Sequence, residues 1–413
     1  MIFAQENGRI ILKEDPIFGI NARAKAMIKE RGKENVVNGT IGSLLDDDGN
    51  LIVLSSVADV FASLSPREFA EYAPIGGLES YQKAIIKDAM GSYEPKSITK
   101  AVSAPGGTGA IRNVIANYSK PGDRVLVSDW FWATYKTIAR EIVRDVESFE
   151  LFNYEGKFNV AAFSAKVNQL LSEQDCLVAI LNTPAHNPTG YSLTDEDWIN
   201  VREVFKYIPK DKKLTLLVDT AYIEFAGDSE KYRSFLKIVD DMPENIFVTI
   251  AHSLSKGYTM YGLRAGATIC LAHDEEQAEE FRRVMTMSSR GTWSNCSRVP
   301  QVILSKIYAD PELKAKVDEE RKYYRDMLLR RGAAIEEASK AVGLKMVPFD
   351  TGFFASFPCK DPKAASQELE KDGIFLVPLA KGLRVAIAAI SEEKCRMIPS
   401  KIKAAIDKTG GVI

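Results

Sequence analysis

Lys256 stands in the run Ser253-Leu254-Ser255-Lys256-Gly257, directly after the apolar stretch Ile246-Phe247-Val248-Thr249-Ile250-Ala251. Arg264 follows in Gly262-Leu263-Arg264-Ala265-Gly266. A lysine at the end of a buried strand is desolvated, and a nearby cation disfavours its charge further. Both effects depress the amine's pKa. A neutral amine attacks carbonyl carbon and forms Schiff bases, and that is the chemistry this segment points to.

Other segments carry residues of the same promise. Ala104-Pro105-Gly106-Gly107-Thr108-Gly109-Ala110 joins a strand to a helix. Glycines at a helix start let backbone N–H groups approach an anion, and the helix dipole favours phosphate there. The same run also reads as a plain tight turn. Thr183-Pro184-Ala185-His186-Asn187-Pro188-Thr189-Gly190 follows another apolar run and reads either as a rigid turn or as a site loop. Asp219 closes Leu216-Leu217-Val218, with Tyr222 three residues on, and either serves a site or caps a helix. Lys256 and Arg264 come at the next two strand positions. In open α/β sheets ligands collect at the carboxyl ends of the strands, so this joint placement predicts one site on one sheet edge.

The elements that must hold these residues are legible as alternating runs. Strands are expected at Ile98–Ala104, Arg124–Ser128, Leu177–Asn182, Leu214–Asp219, Ile246–Ala251 and Ala265–Leu271. They are rich in Val, Ile and Leu without polar alternation, as strands buried on both faces are. Thr194 before Asp195-Glu196-Asp197 reads as a helix N-cap, and Lys120-Pro121-Gly122-Asp123 as a stop and turn. Such alternation predicts a largely parallel α/β sheet between helices. Asp310-Pro311-Glu312 opens a long helix to about Ala341, with Gly343 ending it. Short strands (Gly352–Phe357, Ile374–Leu379, Leu383–Ile390) and a terminal helix near Glu392–Lys408 follow. That α+β pattern predicts a large domain over residues 50–320 and a smaller one built from 1–49 and 321–413.

Composition excludes several classes. Net charge is −2, so no basic field recruits nucleic acid. No apolar run approaches the roughly 20 residues that span a bilayer. Met1-Ile2-Phe3-Ala4-Gln5-Glu6-Asn7 lacks the basic-then-apolar pattern of a signal peptide. Cys176, Cys270, Cys296, Cys359 and Cys395 are odd in number and scattered, and the histidines are only His186, His252 and His273. Reduced thiols, a cytoplasmic location and no metal site are the expectation.

Taken together, Gly107-Thr108-Gly109, Asn187-Pro188-Thr189-Gly190, Asp219-x-x-Tyr222, Ser253-x-Ser255-Lys256 and Arg264 resemble the class I aminotransferases of pyridoxal-phosphate fold type I. The resemblance extends to the aspartate/aromatic branch. It runs from Asp15-Pro16-Ile17-Phe18-Gly19, through Tyr72 and Trp132, to Ser288-Ser289-Arg290-Gly291-Thr292-Trp293-Ser294-Asn295 and Arg384. It implies pyridoxal 5'-phosphate as cofactor, bound to Lys256, which also shuttles the proton. Asp219 would pair with the ring nitrogen, Tyr222 and Asn187 would bond the ring oxygen, and Trp132 would stack on the ring. Gly107, Thr108, Ser253 and Arg264 would hold the phosphate, with Tyr72 reaching in from a second subunit of a homodimer. Arg384 would clamp the substrate carboxylate in a bidentate fork beside the backbone of Ile41 and Gly42. Arg290 would cross from the neighbouring subunit to a side-chain carboxylate, and Ile17 and Phe18 would form an apolar flap. The implied reaction moves an amino group from aspartate, glutamate or an aromatic amino acid to 2-oxoglutarate.

The chain departs from that pattern at Tyr135 and Asn182, which stand where many aspartate aminotransferases carry histidines. Phe131 and the stretch Ser43–Asn50 leave the preferred side chain open. A β-lyase or decarboxylase on the same fold shares Lys256, Asp219 and Arg384, and Arg290 favours transamination over both. A nucleotide-binding oxidoreductase with Asp129 as its ribose acid fits poorly, because Arg112 occupies the third glycine position and Lys256 goes unexplained. A cofactor-sensing module fused to a DNA-binding domain lacks both room and a basic stretch.

Overall fold

The computed structural model describes residues 16–413. A two-residue strand, β1 (Val37–Asn38), comes first. The central sheet is then built by β2 (Ile98–Ala104), β3 (Arg124–Ser128), β4 (Asp145–Phe149), β5 (Cys176–Asn182), β6 (Lys213–Asp219), β7 (Ile246–Ser253) and β8 (Gly266–Ala272). Their spatial order is β2-β8-β7-β6-β5-β3-β4. Only β8 runs against the rest, antiparallel to both β2 and β7. The sheet is mixed and mostly parallel, with helices on both faces.

Strand residues alternate between two cores, as the period of a strand requires. Leu177, Ala179 and Leu181 of β5 join Trp198 and Phe205 on one face. Val178 and Ile180 join Ile111 and Phe281 on the other. Burial on both faces explains the continuous apolar runs. β4 was not expected from the sequence. It is the edge strand, and Asp145-Val146-Glu147-Ser148-Phe149 offers no apolar run to read.

Helix starts follow their caps. Thr194 and Asp197 form a reciprocal capping box on the helix Asp195–Lys206, and the Asp310 side chain accepts from the first turn of Pro311–Ala341. That long helix places Val317 in the first core and Met327, Leu328, Ala334 and Ile335 in another.

The latter core belongs to β9 (Phe354–Pro358), β10 (Ile374–Phe375), β11 (Val377–Pro378) and β12 (Gly382–Ala386). β12 lies between β11 and β9, antiparallel to each, while β10 pairs parallel with β1. The strand expected over 374–379 is thus split at Leu376. The one expected over 383–390 stops at Ala386, where the chain tightens into a 3-10 turn, Ile387–Ala389. Among the described residues no helix is long and apolar enough to cross a membrane.

Candidate active site

Strand register lines the chemistry-bearing residues along one edge. Asn182 of β5 is level with Asp219 of β6, and Asp219 with Ala251 of β7. Ser253 and Ala104 are both level with Gly266 of β8. Arg264 therefore precedes its strand instead of following one. Because β8 is reversed, its beginning lies where its parallel neighbours end.

The residues converge on a cavity of about 410 Å³. It is lined by Ile17, Phe18, Ile41, Gly42, Gly107, Thr108, Trp132, Asn187, Asp219, Tyr222, Ser253, Lys256, Arg264 and Arg384, all expected from the sequence. Ser43, the start of the stretch that leaves the side chain open, lines it as well, and Thr40, Thr134, Tyr261 and Phe354 line it without having been singled out. A larger cleft of about 1000 Å³, around Lys213, Thr215 and Phe247, holds none of these groups. Asp15, the first residue of the flap motif, lies outside the described residues.

Lys256 rides on a short helical turn, Leu254–Gly257, started by the Ser253 side chain accepting from Ser255 N–H at 3.2 Å. Its Nζ donates to the Gly42 carbonyl at 2.6 Å and sits 4.7 Å from the Tyr261 ring centre. Burial first, then Arg264 and Arg384, push the amine down to about 7. The shift is toward the neutral amine anticipated from the strand end, which becomes accessible near neutral pH.

Asp219 is 4% exposed at the end of β6. One carboxylate oxygen accepts from the Tyr135 hydroxyl at 2.6 Å, the other from the Ala221 N–H at 3.1 Å. Burial raises its carboxyl to about 6, against the pull of the Tyr135 bond. Asn182 donates to the Asp219 carbonyl at 2.8 Å and accepts from the Asn187 N–H at 2.7 Å. Neither Tyr135 nor Asn182 was given a site role in advance. Their signal was the resemblance itself, which put both where many aspartate aminotransferases carry histidines near the cofactor; the Tyr135 ring meets that of Trp132 edge-on at 5.4 Å.

Asn187 donates to the Tyr222 hydroxyl at 3.3 Å and accepts from Arg384 at 3.3 Å. Arg384 also donates to the Thr40 carbonyl at 2.8 Å and lies 4.4 Å over the Phe354 ring. It is 5% exposed, and its Nε has no hydrogen-bond partner among the described residues. Burial lowers it to about 10. A buried guanidinium with an open donor is a receptor for an anion.

A second anion cradle is made by glycine. Gly106, with φ +74°, opens the helix Gly106–Tyr118, and a Cβ there would meet Arg264 Nη2 at 2.8 Å. A Cβ on Gly107 would meet Ser253 Cβ at 3.5 Å. Arg264, itself left-handed at φ 52°, donates to the Ser255 hydroxyl at 3.3 Å. A helix N-terminus, two serines and a guanidinium thus bound one hollow, which suits a phosphate dianion.

Tyr72 and Arg290 do not line the cavity of their own chain. Tyr72 is 88% exposed, and Arg290 donates to Ser294 at 2.8 Å near the end of the helix Glu275–Thr292. The two segments are tied together on the surface: Asn295 donates to the Ala73 carbonyl at 3.1 Å and Arg298 to the Tyr72 carbonyl at 3.2 Å.

The family model for aminotransferase class I and II matches residues 34–402. Mitochondrial aspartate aminotransferase of Arabidopsis thaliana is 28% identical over 338 residues, covering 80% of this chain and 75% of that protein. Among solved structures, an aminotransferase from Anaerococcus prevotii superposes with a TM-score of 0.96 at 37% identity, covering 98% of this chain and 100% of that one. An aromatic-amino-acid aminotransferase from Burkholderia pseudomallei, covalently bound to pyridoxal phosphate, shares the fold with a TM-score of 0.81 at 23% identity, covering 98% and 100%.

Proposed function

The chain belongs to the class I and II aminotransferase family, and from that premise we propose that it moves an amino group between an L-amino acid and 2-oxoglutarate in a ping-pong exchange. The amino acid is aspartate, glutamate or an aromatic one. One observation carries the reading: the lowered amine of Lys256, the buried carboxylate of Asp219 and the open guanidinium of Arg384 share one cavity.

Pyridoxal phosphate, when bound, supplies an aldehyde that condenses with amines and a ring that withdraws electrons from the carbon bearing them. The donor set fits it. Gly107, Thr108, Ser253 and Arg264 would hold its phosphate, Asp219 its ring nitrogen, Asn187 and Tyr222 its ring oxygen, and Trp132 its face. With an amine near neutrality, Lys256 takes a proton from the substrate Cα and returns it elsewhere at ordinary pH. Arg384 orients the α-carboxylate against the backbone of Ile41 and Gly42. Ile17 and Phe18, at the mouth, exclude water when the site closes.

The chain acts as a homodimer, with Tyr72 and Arg290 entering the cavity of a second copy. Their shared surface patch supports this, since one approach delivers both. Arg290 then meets the side-chain carboxylate of a dicarboxylic substrate. The free cysteines suit a reducing cytoplasm.

The test is to load the protein with pyridoxal phosphate and follow labelled amino nitrogen from aspartate and from phenylalanine. Appearance of the label in glutamate supports the proposal. Product release without glutamate would replace it with lyase or decarboxylase chemistry.

A further inference from the structure

Behind the cavity lies a buried cluster of charged groups that the reaction as derived does not use. Asp88, 3% exposed, accepts from the hydroxyls of Tyr258 at 2.6 Å and Tyr308 at 2.8 Å, and meets His252 Nε2 at 2.8 Å. Arg321, also 3% exposed, stacks 3.9 Å over the Tyr258 ring and forms an ion pair with Asp88 at 3.5 Å. Glu224 pairs with Arg321 at 3.2 Å and with Arg233. Two carboxylates and two guanidiniums balance, as burial demands.

The placement of Arg321 has a use that packing does not require. Its Nε donates to the Gly257 carbonyl at 2.6 Å, one residue past Lys256. Its Nη1 donates to Glu224 at 3.2 Å, two residues past Tyr222. A single planar fork thus joins the backbone that carries the amine to the turn that carries the phenol. The fit is close: a Cβ on Gly257 would meet Glu224 Cγ at 2.7 Å and Arg321 Nη2 at 3.4 Å. Gly257 is not in a left-handed conformation, so its need to be glycine comes from the close approach of this cluster.

We propose that Arg321, bridging the Gly257 carbonyl and Glu224, is a positioning residue that sets where Lys256 stands relative to Tyr222. The inference rests on the aminotransferase reading, because only there must those two groups address one ligand. Catalytic efficiency depends on placement within a fraction of an ångström, so a loosened staple lowers rate more than binding. Lysine cannot replace arginine here, since an ammonium on a flexible stem lacks the rigid fork that reaches the Gly257 carbonyl, Glu224 and Asp88 together.

Two variants attack the staple differently. Arg321→Lys keeps the charge and removes the fork, while Gly257→Ala keeps every charge and wedges Glu224 away. In cofactor-free, full-length protein, the reactivity of Lys256 toward a small amine-reactive reagent is followed against pH by peptide mass mapping, with exposed Lys340 as internal standard. In each variant the Lys256 midpoint moves upward by about half a pH unit or more as the amine relaxes out of its enclosed place. In the loaded enzyme kcat falls by about tenfold with KM within about twofold, and the pH midpoint of the cofactor spectrum shifts as well.

A merely supportive cluster would lower the melting temperature and leave both midpoints where they were. Folded variants with unmoved midpoints and unchanged kcat overturn the assignment. Failure of both variants to fold also overturns it, by making the cluster a requirement of the fold. The premise is read separately. Wild-type protein that cannot be trapped by borohydride with pyridoxal phosphate on Lys256 defeats the proposed function, whereas a wild type that is trapped, with indifferent variants, defeats only this inference.

Discussion

Tyr135 donates its hydroxyl proton to Asp219 at 2.6 Å, from the helix Thr134–Glu141 to the end of β6. A phenol is a neutral donor at neutral pH. It holds the carboxylate without placing a titrating cation beside it. Tyr135→Phe keeps the ring in the core and removes the bond. Hydrogen bonds to charged groups contribute about 1.5–3 kcal/mol, so pyridoxal phosphate affinity is expected to fall by about tenfold or more. Equilibrium titration of the cofactor checks this, and an unchanged affinity would leave Tyr135 a packing residue.

Asp219 also sets a pH dependence. Its folded carboxyl titrates at about 6, above the ordinary value of 3.8. Between about pH 3.8 and 6 the folded, cofactor-free protein therefore retains a proton that the unfolded chain has released. Stability from this group is fully present below the unfolded value and is lost as pH rises through about 6. Asp219→Asn removes that loss, and should stabilise the cofactor-free protein at pH 7 by about 1–3 kcal/mol. The gain should fade toward pH 4. Urea melts at both pH values decide it, and an equal gain at each would place its origin elsewhere.

Gly42 is held where a side chain does not fit. A Cβ there would meet Phe354 Cζ at 2.4 Å, and Phe354 lies under Arg384. Gly42→Ala is expected to cost about 1–3 kcal/mol by overpacking. It should also raise KM for the amino acid, because Phe354 pushes on Arg384, the proposed carboxylate clamp. Thermal melts and steady-state kinetics give the two numbers. A variant that melts lower with KM unchanged would separate the glycine from the clamp.

Arg290 is tested by its choice of substrate. Leaving a buried carboxylate without its guanidinium costs several kcal/mol, so Arg290→Ala should lose about a hundredfold in kcat/KM for aspartate. Phenylalanine should lose far less. Equal losses for the two would make Arg290 structural.

The same residue tests sharing between subunits. Arg290→Ala and Lys256→Ala chains, each poor with aspartate, regain one intact site in a hybrid dimer. Random mixing should restore about a quarter of wild-type activity if each site takes Lys256 from one copy and Arg290 from the other. No recovery after confirmed subunit exchange would rule that out.

Local signals sufficed wherever chemistry coincided with an element's end. Lys256 after β7, Asp219 closing β6 and the glycines after β2 could be read because apolar runs mark buried strands, and loops at one edge of a parallel sheet face a common space. The long helix from Pro311 was legible from its cap alone. β4 was not, since an edge strand needs no apolar run. Nor was the reversal of β8, on which the position of Arg264 depends, because strand direction is settled by pairing and not by composition.

The sequence alone was enough to place a desolvated lysine, a buried carboxylate and a glycine-started helix at strand ends, because each of those signals lies within a few residues of its own strand. Closure of the chain had to decide the rest. Arg384 meets the Thr40 carbonyl across 344 residues, Tyr135 reaches Asp219 across 84, and Arg321 reaches Gly257 across 64. No pattern along the chain encodes such pairs. Each exists because strand register and helix packing bring distant backbone to one sheet edge, where burial makes every unpaired polar group costly enough to fix its partner.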